Sequence, residues 1–501
     1  MCKAAPGNME GALMSMEDKY RFLFPFEKVK PGSRIVLYGA GKMGQEYIDQ
    51  IERTGYCQIV AVVDKNYREY QGYAYKVSAP AELGTYDPDY IVVALRNKDH
   101  LNEILENLRQ NSISDQKVIF IGEREQASSG NKVAGAAHRT DVSDMYEKTS
   151  TRIAVYTMGG IGDCIIQKKV ITTLLTMIPD SKIDIYCSAN KSFLDMLYFD
   201  AAYIGHVIAN LGTRYEREAK SYDLAFQICG TEYMKVDYID DAQLELSVAK
   251  KMHALQKKTD KEYYLRLGNP AAIGFLQKIR CGHNCYTGLS YGDIFAIKDC
   301  QVDIKLPASS EETFEKADLR RYITVNCGNG ACRNESLVAK SWPVEYFEQL
   351  LKKIKGKYPQ LDIVQVGGPD TRRLQRADRF FMGESFPMVG QILKHSLLHI
   401  DIEGGLVHFA TQLGTKCVVL FGPTYQEFFG YPQNINIQAG SCHGCYGLYP
   451  DVNQCARNME QPECMYSITP EIVMQAVQSY LEGKDIVTAE RETEEKEKDN
   501  E

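Results

Sequence analysis

Residues 397–424 read LLHIDIEGGLVHFATQLGTKCVVLFGPT, and the rest of the chain is organised around them. Leu397 to Ile402 is mostly apolar and predicts a buried strand. Glu403-Gly404-Gly405 breaks that run. Leu406, Phe409, Ala410 and Leu413 then recur at helical spacing, and Gly414 marks the helix end. Lys416 to Phe421 is a second apolar run, closed by Gly422-Pro423. Strand, glycine loop, helix and strand form one α/β unit. Its glycines let a ligand approach the backbone, and the free amides of a helix start suit a diphosphate. Glu403 at the strand end and His408 early in the helix are expected to face the same ligand. An ordinary βαβ unit with a hydrogen-bonded core histidine would carry the same pattern.

Three further stretches repeat this design upstream. Arg34 to Tyr38 predicts a strand that runs into Gly39-Ala-Gly41-Lys-Met-Gly44, and a helix follows to about Thr54. A second strand, Ile59 to Val63, ends at Asp64, about twenty positions past the last glycine, where a ribose hydroxyl would be held. Strands at Tyr90–Leu95 and Lys117–Ile121, with a helix between them, complete a small Rossmann-like domain over 1–125. Its Gly39, Gly41, Gly44 and Asp64 are candidates for binding NAD(P) or another nucleotide, and a scaffold is the plainer reading. Residues 126–150 are polar, rich in small residues and aperiodic, which predicts a linker. Ile153 to Tyr156 then leads into Gly159-Gly160-Ile-Gly162-Asp163, a helix to about Met177 and a strand at Lys182–Tyr186. Tyr322 to Val325 enters Gly328-Asn-Gly330, followed by Lys340-Ser-Trp342-Pro343, a helix to about Ile354 and a strand, Asp362–Val366, ending at Gly367-Gly368. A helix is expected to begin at Pro369-Asp370.

Composition limits what such a chain does. Its 501 residues suffice for about three domains, and 44% hydrophobic with 25% charged residues is a globular balance. A formal net charge of −8, with no basic stripe, argues against nucleic acid as a partner. No apolar run is long enough to span a bilayer, and the N-terminus lacks a basic region followed by an apolar one. A cytoplasmic protein is expected, with peripheral membrane contact left open. Fifteen cysteines then read as metal, catalytic or core residues rather than a disulfide framework. Cys281 to Cys285 has no second pair nearby and reads as a loop.

Four features in order carry a resemblance: Gly162-Asp163, Lys340-x-Trp342-Pro343, Gly367-Gly368, and Glu403-x-Gly405-x-x-His408 followed by Phe409-Ala410. The last resembles the Asp-x-Gly-x-x-His-Leu-Ala pattern of glycosyltransferase family 9, the ADP-heptose heptosyltransferases and their relatives. The resemblance spans roughly 151–480. It implies a GT-B fold of two Rossmann-like lobes, an acceptor lobe over 151–310 and a donor lobe over 311–480, preceded by the separate small domain.

The resemblance further implies inverting transfer of a heptose-like sugar from a nucleoside-diphosphate sugar to a hydroxyl of a glycan, a lipid-linked saccharide or a protein. Asp163 would be the catalytic base, although Asp is also an ideal helix cap. Lys340, Glu403, Gly404, Gly405, Leu406 and His408 would hold the donor. No Asp-x-Asp motif stands at a donor site, so no catalytic metal is expected. Two rivals stand beside this reading. One is an NAD-dependent oxidoreductase of sugar nucleotides using the Gly39 loop, whose acid–base pair is not found. The other is a degenerate transferase that only binds sugar nucleotides.

Cys442-His-Gly-Cys445, Cys455 and Cys464 lie in 441–465, a segment poor in large apolar residues. Cys-x-x-Cys is half of a tetrahedral thiolate site, so a structural zinc or iron held by all four is expected. Some family relatives are known to use such a cluster for iron. Residues 481–501 are strongly charged and predict a disordered acidic tail.

Overall fold

The described residues form three sheets, two of them wholly parallel. In the first sheet, strands β1 (Arg34–Tyr38), β2 (Gln58–Val63), β3 (Val77–Ser78), β4 (Tyr90–Val93) and β5 (Val118–Ile119) lie in the order β3-β2-β1-β4-β5. The second holds β6 (Thr151–Met158), β7 (Ser181–Cys187), β8 (Ile204–Ala209), β9 (Leu224–Cys229) and β10 (Tyr233–Ile239), ordered β10-β9-β6-β7-β8. Only its β9–β10 pair is antiparallel. The third holds β11 (Tyr322–Val325), β12 (Asp362–Gly367), β13 (Arg379–Met382), β14 (His399–Ile402), β15 (Cys417–Phe421) and β16 (Ile435–Gln438), all parallel, in the order β13-β12-β11-β14-β15-β16. The computed structural model describes residues 20, 22–70, 75–95, 101–110, 114–120, 150–210, 213–266, 270–292, 294–328, 339–440, 442–448, 455, 457 and 459–483. Nearly all of the expected linker and of the acidic tail, and Gly330, fall outside these residues.

The central strands β14 and β15 are buried along their whole length; β15 is apolar throughout, whereas β14 carries the buried polar residues His399 and Asp401. The order 3-2-1-4-5-6 in the third sheet places a switch point between β11 and β14, where the chain turns to the other side of the sheet. Ligands bind at such points, outside the carboxyl ends of the strands. The second and third sheets are the two facing lobes of a GT-B arrangement. Their cores are continuous: Phe193 of the second lobe meets Phe386 and Phe409 of the third edge to face, with centroids 5.0 and 5.4 Å away.

The first domain docks away from the cleft. Its helix Lys42–Thr54 packs on helix Ala272–Arg280, and its core includes Leu265, Ala272, Ile273 and Leu448 from the rest of the chain. The C-terminal helix Pro470–Leu481 covers helix Val344–Lys357 of the third lobe.

One expected element is absent. Residues 368–378 form turns and extended chain, with no helix at Pro369-Asp370. The side chain of Gln365 explains it: its Oε1 accepts from Leu374 N at 2.8 Å and its Nε2 donates to Arg372 O at 2.7 Å. These bonds satisfy loop groups that a helix would have paired internally.

Candidate active site

The cleft between the lobes encloses about 900 Å³. Its centre is made by two helices that meet end to end. Helix Ile161–Met177 follows β6, and helix Gly405–Gln412 follows β14. Only glycine permits the approach. A Cβ on Gly405 would stand 2.9 Å from Ile161 Cβ and 3.2 Å from Gly162 N, and one on Gly162 would stand 2.5 Å from His408 Cδ2. Two helix N-termini, each carrying partial positive charge and unpaired amides, therefore open into one space.

Carboxylates occupy that space. Asp163 is the third residue of its helix, and its Oδ2 accepts from Gly160 N at 2.7 Å. It is thus a cap, and it also lines the cleft. Burial raises its pKa to about 6; the Gly160 amide and His408 pull downward, while Glu403 and Glu232 push further up. A carboxyl poised there can take a proton near neutral pH.

Opposite stands Glu403, at the end of β14. Lys340 Nζ donates to its Oε2 at 2.7 Å, and His408 Nε2 lies 3.6 Å from its Oε1. Burial alone would raise Glu403; Lys340 and His408 outweigh it and hold the carboxyl down at about 2. Lys340 is correspondingly raised by Glu403 against burial. His408 is fixed from behind, its Nδ1 2.7 Å from the Tyr431 hydroxyl. That hydroxyl also meets Tyr286 at 2.8 Å. Gly404, Gly405 and Leu406 line the same cleft. The structure therefore gathers Asp163, Lys340, Glu403, Gly404, Gly405, Leu406 and His408 in one place, although they come from three separated stretches. Trp342, beside Lys340, is a packing residue whose Nε1 donates to Ile468 O at 2.7 Å.

Three lining residues were not singled out from sequence. Glu232 follows β9 and pairs with Arg266 at 2.7 Å. Its signal was its place just past a strand's carboxyl end. Asp401 precedes Glu403 by two positions, so the period of a strand puts both on one side. It accepts from Asn326 Nδ2 at 3.1 Å and stands 3.4 Å from His399 Nε2. Burial pushes its carboxyl up against the pull of His399 and Asn326. Tyr446 enters from the Cys-rich segment and carried no sequence signal.

The first domain's glycine turn is arranged differently. Asp64 Oδ2 accepts from Ala40 N at 2.8 Å and Oδ1 from Asn66 N at 2.7 Å. Both oxygens are bound to the domain's own backbone, so this carboxylate braces the turn. Gly41 is open: a Cβ there would meet nothing nearer than the Tyr70 hydroxyl at 4.0 Å.

Cys442, Cys445 and Cys455 lie within electrostatic reach of Cys464. Burial first, then the thiols of Cys442, Cys445 and Cys455, push the Cys464 thiol up to about 12. Among the described residues no three ligating side chains stand in a metal-holding group. The electrostatic effect reaches further than a coordination bond, so the two observations together mean neighbouring but ungathered thiols.

Residues 32–119 match a family model described as C2185-like, N-terminal. No curated protein matches the chain. Among solved structures it is similar to a glycosyltransferase family 9 protein from Veillonella parvula, at 15% identity and a TM-score of 0.42, over 68% of this chain and 99% of that one. It is similar to the E. coli ADP-heptose lps heptosyltransferase II at 16% identity and a TM-score of 0.42, over 66% and 98%. It is also similar to the iron-containing dodecameric glycosyltransferase TibC from enterotoxigenic E. coli, at 12% identity and a TM-score of 0.44, over 67% and 77%.

Proposed function

We propose that the protein is an inverting glycosyltransferase that moves a heptose-like sugar from a nucleoside-diphosphate sugar to a hydroxyl of a glycan, lipid-linked saccharide or protein. The observation that carries this reading is the opposition of Asp163 to the Lys340–Glu403–His408 set between two helix N-termini. The acceptor oxygen attacks the anomeric carbon while the bond from that carbon to the phosphate oxygen breaks. Asp163 takes the hydroxyl proton, and the diphosphate leaves with the bonding pair. Its new negative charge falls where Lys340 and the amides of Gly405 and Leu406 supply positive potential. Glu403 holds a sugar hydroxyl, and His408, oriented by Tyr431, steadies Glu403. A single displacement with one base inverts the anomeric centre.

Among the described residues no helix is long and apolar enough to cross a membrane. We assign the reaction to the cytoplasm. A panel of nucleotide sugars, followed for release of nucleoside diphosphate with and without candidate acceptors, tests the activity. Binding without any turnover would favour the degenerate reading.

For the Cys-rich segment, the donor chemistry fits a metal. Burial and the thiols of Cys442, Cys445 and Cys455 oppose ionisation of Cys464, and a divalent cation would favour its thiolate. Cys442, Cys445, Cys455 and Cys464 would hold zinc or iron as a structural element. Protein purified without chelator is expected to contain about one metal per chain. It should lose that metal on Cys442→Ser with Cys445→Ser, while a metal-free protein with four titratable thiols ends the idea. A nucleotide at the Gly39 loop would rest on the turn's amides rather than on Asp64. Calorimetry of the full chain with NAD and NADP tests it, and silence at millimolar concentration leaves a scaffold.

A further inference from the structure

The cleft holds an aromatic residue whose place is set by the Cys-rich segment. Tyr446 directly follows Cys445, and its backbone N donates to Pro423 O at 2.9 Å. Next to it, Gly447 takes φ +77° and accepts at its carbonyl from Ala272 N at 3.0 Å. A Cβ there would meet Ala271 Cβ and Ala272 N, each at 3.0 Å, so the chain is pressed against the start of helix Ala272–Arg280. That helix supplies Phe275, whose ring stacks on Tyr446 at 22° with centroids 6.1 Å apart. The Lys340 ammonium sits over the Tyr446 ring, 4.8 Å from its centroid. Contacts thus run from Phe275 through Tyr446 and Lys340 to Glu403.

We propose that Tyr446 is a positioning residue for Lys340, and through it for the diphosphate of the donor. The inference rests on the transferase reading and deepens its donor site. In the cleft as it stands, Lys340 is 12% exposed and has Glu403 as its anionic partner. A bound donor separates the two, drawing Glu403 to a sugar hydroxyl and Lys340 to the phosphates. A lysine is a point charge on a flexible stem, and without a second partner it would be free to swing. The ring attracts the ammonium through its face and presents no oxygen there to compete with phosphate. It therefore keeps the charge in place while the anionic partner changes.

The test is calorimetric titration of the full chain with ADP, UDP and GDP. Tyr446→Phe keeps the ring and is expected to bind the preferred nucleotide as the wild type does. Tyr446→Leu is expected to bind it about tenfold more weakly. In a Lys340→Ala background, Tyr446→Leu should cause no further loss, because the residue acts through the lysine. An equal loss in that background, or no loss in either, overturns the proposal. Phenylalanines of increasing fluorination at position 446 keep the shape and fold while weakening the ring's negative face. They should weaken binding stepwise, and a flat series also overturns the proposal. If the wild type binds none of the three nucleotides at millimolar concentration, the transferase reading fails and this inference falls with it. Binding that ignores position 446 removes only the inference.

Discussion

The glycine turn after β1 and the turns after β6 and β14 are the same local device put to different uses. All three join a buried strand to a helix through glycines and place a carboxylate nearby. After β1, Gly44 lets the helix pack on its own strand: a Cβ there would meet Gly39 O at 2.0 Å. Both oxygens of Asp64 are spent on the domain's own amides. After β6 and β14 the close approach is to the other lobe, and Asp163 and Glu403 face charges from elsewhere in the chain. A glycine turn closed on itself is a brace. The same turn becomes a site when a second lobe presents groups across from it.

The largest expected effect breaks the comparison at Asp163. Asp163→Asn keeps an acceptor for Gly160 N and removes the proposed base, so turnover should fall by about 10²-fold or more, with donor affinity retained. Because this carboxyl is raised to about 6, wild-type activity should climb with pH through about 6 and then level. The stability sign is the reverse of the usual carboxylate: the protonated form is favoured in the fold, and stability is lost as pH rises from 3.8 through about 6. Asp163→Asn should therefore raise the melting temperature at neutral pH while slowing the reaction. An unchanged rate would make Asp163 a brace like Asp64.

Next comes the Lys340–Glu403 pair. Both side chains are nearly buried, at 12% and 7% exposure, and Lys340→Ala strands the carboxylate. A loss of about 3 kcal/mol in chemical denaturation is expected, together with weaker binding of free ADP or UDP. Glu403 is depressed from 4.5 to about 2, so the pair's stabilisation is complete above 4.5 and is lost as pH falls through about 2. Glu403→Ala should weaken the full sugar nucleotide more than the nucleoside diphosphate. Equal losses for the two ligands would take Glu403 out of the sugar site.

A glycine pair sharpens the contrast. Gly162→Ala drives a methyl into His408 across the lobes and should cost about 1–3 kcal/mol, with a fall in turnover. Gly41→Ala meets nothing closer than 4.0 Å and should leave both unchanged. Asp64→Ala, which strands two turn amides, should have a smaller effect than Gly162→Ala. It should destabilise the first domain by about 1 kcal/mol and leave transfer untouched. A fall in transfer would show that the first domain reaches the cleft.

Much of this architecture is legible in the chain. Apolar runs closed by glycine located β1, β6, β11, β14 and β15 and the helices after the first four, because hydrophobic periodicity and glycine turns are local properties. The grouping of Asp163, Lys340 and Glu403 was legible only as a pattern of motifs in order. Between 190 and 310 the reading was thin, since β10 is an antiparallel edge and Leu246–Arg266 a long helix of mixed pattern. The helix expected at Pro369 failed because one side chain, Gln365, bonds the loop instead.

By itself the sequence determined four strand–glycine–helix units, the carboxylates beside three of them and a cysteine-rich segment, for these depend on neighbours along the chain. Only the tertiary structure decided which carboxylate is a brace and which faces a cleft. It also decided that Lys340 pairs with Glu403, 63 positions away, and that Tyr446 lies beneath the lysine. Those outcomes turn on burial and on charges brought together from distant stretches, and no local pattern encodes what will stand on the other side of a turn.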